Sequence, residues 1–598
     1  MNVLVPLLGG ACLLWLGARF YGRLLERRLG VDPARPTPAV ERDDGRDYVP
    51  TRVPVLFAHH FSAIAGAGPI LGPTIALLYG VGPGWLWIVL GGIFFGAVHD
   101  FATLFASVRQ GGRSIAEVAR SSLGNTGFSL FILFALVLIL LVTSAFLAAT
   151  AVSLTSMWPA QSLGLDPADS WMRVVERDGR PLAVIGGIAS MSVVIITLMS
   201  PVLGYLIYRR GLGTVPAYAL AALICAVSVA AGVVWPITLD PKTWMILISV
   251  YVLLAAGVPV WLILQPRDFI NVQILYVGIA GLMGGLLVAG LGGLTIQAPL
   301  ADLASAGQSP ALGPLWPVLF TTIACGAISG FHSMVASGTT AKQVSSERHL
   351  KRIGYDGMLL ESLLALAVLV LVGATLSSAD YAAMVHPTDP AVKSNPILAF
   401  SLASGRLLET AFGIPVAGGT VFGILLVEGF VVTTLDAAVR INRYLFEELW
   451  GILFRGRVPA LMRHYWFNSG LSAVLMLLLA WTNAFNLIWP VFGSANQLIG
   501  ALALIAVSAW LVGQGRRPWY TVVPAAAMLV TTIATLLILI PRYLDGGQWA
   551  LLIADVALIA LALALVGVAA SRLRGLLGRA ASAEVAAAPA GGPPAPAP

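Results

Sequence analysis

Fifteen long apolar stretches, each closed by a loop, run through this 598-residue chain, at 2–22, 57–80, 84–107, 126–154, 183–208, 214–234, 244–264, 272–293, 312–337, 355–377, 414–440, 465–481, 485–512, 519–540 and 549–571. A bilayer core takes about 20 apolar residues per spanning helix, roughly 17–25 in practice. Lipid offers the backbone no hydrogen-bond partner, so such stretches must be helices. The pattern predicts an all-α polytopic membrane protein of about 15 transmembrane helices. The charged fraction of 11%, against about 25% in a soluble domain, agrees.

The formal charge of +7 does not point to nucleic acid, because no span carries a clustered basic patch. The basic residues instead alternate between loops. Odd-numbered loops and the two ends hold 28 of the 35 Lys and Arg, among them Arg23, Arg109, Arg113, Arg267, Lys342, Arg440 and Arg516; even-numbered loops hold Arg173, Arg177, Arg180, Lys242, Lys393, Arg406 and Arg542. Cytoplasmic loops carry such an excess. The asymmetry therefore predicts an outside N-terminus and a cytoplasmic C-terminus. The first span lacks a basic leader and a small-residue cleavage site, and it runs into Arg23–Arg28, so it reads as a retained helix.

Little of the chain is left to form soluble structure. The expected organisation is an N-terminal helix with a basic cytoplasmic loop (1–56), a core (57–440), peripheral C-terminal helices (441–575) and a disordered Ala/Pro tail (576–598). The outer loops 156–182 and 378–413 have room for short surface helices. Cys12, Cys225 and Cys325 lie inside spans without CxxC or His spacing and read as small apolar residues. No metal or cofactor motif, Walker sequence or ATPase-sized segment is present, which leaves a proton or sodium as the coupling ion of any active process.

Gly and Pro inside a span matter because non-helical backbone at membrane depth survives only beside protein or a water-filled cavity. The second span carries Gly66-Ala67-Gly68-Pro69, and the seventh carries Gly257-Val258-Pro259. These spans are five apart, an odd number, so two successive five-helix units (about 57–234 and 244–440) would be inverted relative to each other. Interrupted helices at matching points of inverted halves are the sequence mark of a secondary transporter's central site. A 5+5 inverted repeat with broken helices 2 and 7 is the expected architecture, although Pro kinks that serve packing alone give the same pattern. Gly66, Ala67, Gly68, Pro69, Gly257 and Pro259 are the candidate substrate-binding residues, with Ser333 and Ser337, one turn apart in the ninth span. The thirteenth span has a further break, Trp489-Pro490 to Asn496-Gln497.

Ionisable groups in lipid are costly and mark pathways or proton relays. Glu428 lies deepest, near the middle of span eleven, and Asp436 shares its helix face, with Arg440 four residues on as a structural partner. Asp100 stands near a helix C-terminus, which disfavours an anion, so Arg109, a histidine or a cation must compensate. His59, His60, Asp100, Glu428 and Asp436 are the candidate coupling residues; for the histidines, holding the cytoplasmic loop is an equal alternative. His99 is expected at the interface, His332 and Glu361 near each other, and Asp555 snorkelling from the last span.

The run from His59-His60-Phe61 to Gly72-Pro73, Gly96-Ala97-Val98-His99-Asp100-Phe101, Gln265-Pro266-Arg267-Asp268-Phe269, Thr322 through Thr340, Glu428-Gly429, Asp436 through Arg440, and Trp489 through Gln497 follow one another along the chain. Together with Asp43 through Thr51, they resemble the signature of the carbon starvation protein A (CstA) family. The resemblance implies a multi-pass carrier of the bacterial inner membrane, not an enzyme, that imports peptides or pyruvate during carbon starvation. It implies proton symport for the pyruvate carriers, and membership of the amino acid/polyamine/organocation superfamily. His99 stands where a Gln is expected, and the loop 378–413 is short, so substrate identity stays open. A nutrient sensor that binds without transporting is the alternative; the chain offers no sizeable signalling domain for it.

Overall fold

The computed structural model describes residues 1–45, 48–167, 170–177, 179–259, 261–304, 312–387, 394–482 and 485–587. The fold is helical throughout, apart from one small antiparallel sheet. Among the described residues, twelve helices are long and apolar enough to cross a membrane, and the bent pair Val53–Ile64 and Gly68–Tyr79 makes a thirteenth. The other two expected spans have a different form. The 244–264 segment is a shorter helix, Pro241–Gly257, and 312–337 is interrupted midway. The loop 156–182, expected outside, builds strands Trp158–Pro159, Val174–Arg177 and Arg180–Ala183 rather than helices alone. The second outer loop does form helices, Ser378–Val385 and Pro396–Phe412.

Two long helices make the framework. Ile115–Leu154 begins at Ser114, whose hydroxyl accepts from the Glu117 amide at 3.3 Å, a capping arrangement that satisfies one of the free N–H groups at a helix start. It bends at Gly124, where φ is 83°, a conformation glycine reaches without steric cost. Val416–Leu453 packs along it.

Burial separates core from rim. Over its most apolar window, Glu347–Thr375 is 89% buried and Ile488–Gly513 83%, whereas Leu4–Leu29 and Trp549–Arg572 are 28% buried. The first and last helices therefore stand at the edge, with side chains such as Trp15 and Ile553 turned outward. The helix Phe485–Gly513, expected among the peripheral ones, belongs to the centre. The last helix continues to Ala587, past the expected start of the tail, and 588–598 lie outside the described residues, as do Arg46, Asp47 and Lys393.

Candidate functional site

The first break falls where the glycines predict it. Val53–Ile64 stops at Ala65 (φ −75°, ψ 52°), and Gly68–Tyr79 resumes at an angle of 41°. Pro69 fits the new first turn, where no N–H is needed. Gly66, Ala67, Gly68 and Pro69 are all buried. A Cβ on Gly66 would lie 2.8 Å from the Thr434 hydroxyl oxygen, and one on Gly72 would lie 2.8 Å from the Thr322 carbonyl oxygen. The permissive residues thus let two backbones and a neighbouring helix close in.

A second break falls within the 312–337 span. The helix Phe320–Thr322 stops at Ile323 (ψ 70°), and helix returns only at Phe331–Gly338. The polar backbone freed between them is met by side chains. The Trp87 indole N–H lies 3.1 Å from the Phe320 carbonyl and 3.0 Å from that of Ile323. The Asn496 amide oxygen accepts from the Phe331 N–H at 2.9 Å, and its Nδ2 donates to Ser329 Oγ at 3.0 Å. Gln497 donates to the Phe320 carbonyl. The two amides that follow Pro490 thus hold an unwound segment of another helix.

Gly257 and Pro259, expected in the central site, mark the end of a helix instead. Beyond Gly257 the chain is extended at Val258. Arg440 donates to the carbonyls of Ala255 and Val258 (3.0 and 2.7 Å), and Arg443 donates to that of Ala256 (3.2 Å). Cations on terminal carbonyls complement the helix dipole. The absence of a Cβ at Gly257 makes room for the Trp466 ring. Ser333 and Ser337 are buried beside the second break, but their hydroxyls donate to the carbonyls of Gly330 and Ser333, and Ser337 Oγ also accepts from the Ile115 N–H.

Four ionisable groups meet in the interior beside these breaks. Asp100, His99, His332 and Glu361 are each fully buried. One oxygen of Asp100 lies 2.7 Å from His99 Nδ1 and the other 2.7 Å from His332 Nδ1. With Asp100 ionised, both Nδ1–H groups donate to it. His332 Nε2 stands 3.4 Å from Glu361, and the imidazole faces the Ile64 carbonyl, the last of the first half-helix. His99 is therefore a core residue rather than an interfacial one, because it supplies the compensation that Asp100 requires.

A second cluster lies toward the start of the first half-helix. Arg267 pairs with Asp436 at 2.5 Å, and the Tyr251 hydroxyl donates to the same carboxylate at 2.6 Å. Asp436 is thus neutralised by Arg267, on another helix, while Arg440 serves backbone carbonyls. His59 Nδ1 lies 3.2 Å from Asp268, and His60 Nδ1 lies 2.8 Å from the Thr340 hydroxyl. Glu428 faces the Ser153 hydroxyl, and neither side chain closes a hydrogen bond. Its carboxyl lines a narrow cavity with Ser192, Arg267 and Asn271. Asp555 does not snorkel; it is fully buried.

The structure thus joins Asp100 to the first break through His332 and places Glu428 near Arg267. It assigns the histidines separate partners. His332, Glu361, Arg267 and Asn496 are essential to this geometry, yet no local spacing marks them, since their partners lie more than 160 residues away or on another helix.

The family model described as "Carbon starvation protein CstA" matches residues 2–396 and 384–535. The "Peptide transporter CstA" of Escherichia coli (strain K12) is 32% identical, over 89% of this chain and 80% of its own length. That of Campylobacter jejuni is 30% identical over 94% and 84%. The "Pyruvate/proton symporter BtsT" of Escherichia coli (strain K12) is 30% identical over 86% and 78%. Among solved structures, the Eremococcus coleocola manganese transporter aligns with a TM-score of 0.47 and 13% identity, covering 89% of this chain and 98% of that one. MhsT in complex with L-phenylalanine aligns with a TM-score of 0.45 and 14% identity, over 86% and 98%. With the family match running through both breaks and the buried carboxylate–histidine cluster, the chain belongs to the carbon starvation protein CstA family.

Proposed function

We propose that this chain is a proton-coupled importer of small carboxylate-bearing nutrients, peptides or pyruvate, in the bacterial inner membrane, with its N-terminus outside and C-terminus in the cytoplasm. The observation that carries the reading is the Asp100–His332–Glu361 series, fully buried and set against the first break. Two carboxyls flanking one imidazole form a site where a proton can be taken up, held between hydrogen-bonded partners and released. The substrate carboxylate is received by the N-terminal amides of Gly68–Tyr79, at Ala67 and Gly68, where a helix start favours an anion. Loss of the proton from His332 weakens its tie to Asp100 and so couples protonation to movement of the first half-helix.

The inverted repeat is proposed in altered register. One unit opens with 53–79 and the other with 315–338, seven spans later, an odd number that inverts the second. What supports the pairing is length: Val81–Arg109 and Glu347–Thr375 have 29 residues each, Ile115–Leu154 and Val416–Leu453 have 40 and 38, and Leu264–Leu291 and Phe485–Gly513 have 28 and 29. The hairpin of Ile185–Tyr208 and Thr214–Val234 is then an insertion in the first unit.

The experiment is uptake of labelled pyruvate and dialanine into proteoliposomes under an imposed pH gradient, with and without sodium. Accumulation that follows the pH gradient and ignores sodium is the expected result. Accumulation that needs sodium alone overturns proton coupling, and binding without accumulation overturns transport.

A further inference from the structure

A cleft of about 200 Å³ lies outside the breaks, where the start of Ile115–Leu154 meets Phe331–Gly338 and the last turns of Val416–Leu453. Met334 and Ser337, both just past the second break, form its inner wall.

Four charged residues line this space, Arg113, Lys342, Glu117 and Glu448. The Lys342 ammonium stands 5.6 Å from the centre of the Tyr48 ring and 5.7 Å from that of Tyr444, an aromatic setting that holds a cation without neutralising it. The Tyr48 hydroxyl donates to the Gly111 carbonyl at 3.2 Å, and the Val49 N–H donates to the Lys342 carbonyl at 3.1 Å, which fixes this wall. Opposite lies Glu448. Ser114 faces its carboxyl, and its Oε2 is buried with no hydrogen-bond partner. The neighbouring acid, Glu117, is bound to Arg120 at 3.3 Å. Lys342 and Glu448 thus line one cleft without closing an ion pair, although both have flexible side chains.

A cation and an anion held apart across a cavity suit a ligand that carries both charges in the reverse order. We infer that this cleft binds small zwitterionic solutes, with the carboxylate on Lys342 and the ammonium on Glu448, at a site separate from the helix breaks. A monoanion such as pyruvate satisfies only half of it and leaves Glu448 unanswered. The cleft then sorts solutes beside the transport route, and its role in traffic rests on the transporter reading above.

Binding to the full-length protein in lipid nanodiscs tests this without turnover. The probes are dialanine, N-acetyl-dialanine, dialanine amide and pyruvate. The unaltered protein is expected to bind dialanine about tenfold more tightly than either capped form, the effect of one lost charge contact. Lys342→Gln should erase the preference over the amide and keep that over the N-acetyl form; Glu448→Gln should do the opposite. Equal affinity for capped and free dialanine on the unaltered protein overturns the inference, whatever the variants do. So does a preference that persists in both variants, since the charges would then be read elsewhere. Residue-specific binding without proteoliposome uptake would leave this site standing and remove the transporter reading.

Discussion

His332 and Asp100 stand 2.7 Å apart across 232 residues of sequence, both fully buried. The pair is completed by Glu361 on the far side of the imidazole. His332→Ala removes the positive partner from between two carboxyls, and breaking a buried pair in this way costs about 3–5 kcal/mol. A lowered unfolding midpoint in detergent is the expected readout. Glu361→Gln is the gentler change, because it keeps the shape and removes an ionisable site. It should retain substrate counterflow while losing accumulation driven by a pH gradient. Full pH-driven accumulation in Glu361→Gln excludes that carboxyl from the proton route.

A Cβ on Gly68 would stand 2.4 Å from both Cβ and Sγ of Cys325, a distance that ordinary carbon contacts never reach. Gly68→Ala should therefore push the two breaks apart and lower uptake at least about tenfold, in line with the 1–3 kcal/mol typical of overpacking. Cys325→Gly in the same chain removes the opposing atoms and should restore much of the loss. Absence of rescue would show that the glycine is needed for its backbone rather than for the gap.

Asp436→Asn strands the Arg267 guanidinium, which is 1% exposed. The expected loss is about 3–5 kcal/mol of stability. Replacing both partners, by Arg267→Met with Asp436→Leu, should cost much less, because no charge is then left unpaired. Melting of the purified protein compares the two. Equal damage from the single and double changes would make this cluster something other than a structural ion pair.

Glu428 calls for the reverse expectation. Its carboxyl is buried without a completed hydrogen bond, so Glu428→Gln removes a group that is expensive to charge in such a place. Stability should hold or rise, and pH-driven uptake should fall. Unchanged uptake in Glu428→Gln takes the residue out of the mechanism.

The sequence makes the first break legible because Gly66, Gly68 and Pro69 crowd a span in which each weakens a helix. The break within 312–337 is harder to read. Gly257-Val258-Pro259 is the louder signal, since both Gly and Pro weaken a helix, and it ends one helix before the next begins. The interruption from Ile323 to Gly330 contains no proline and is held open by tertiary partners such as Asn496 and Trp87. In the register proposed above, the inserted hairpin moves the second unit from the fifth following span to the seventh, an offset that counting spans does not reveal. Deep carboxylates and histidines are visible by type and depth alone. Which of them meet is decided by helices far apart in sequence, so the Asp100–His332 contact and the Arg267 counterion of Asp436 had no local trace.

The second half of the broken helix, Gly68–Tyr79, ends under a clasp. The Tyr381 hydroxyl lies 2.8 Å from the Thr74 carbonyl and 3.1 Å from that of Ile75, and His386 Nε2 lies 3.0 Å from the latter. Both side chains belong to one short segment, Ser378–Val385 and the residue after it. Their contacts share two adjacent carbonyls, so they are made and lost as a unit. A swing of this half-helix must shed them together, which makes its release abrupt rather than gradual.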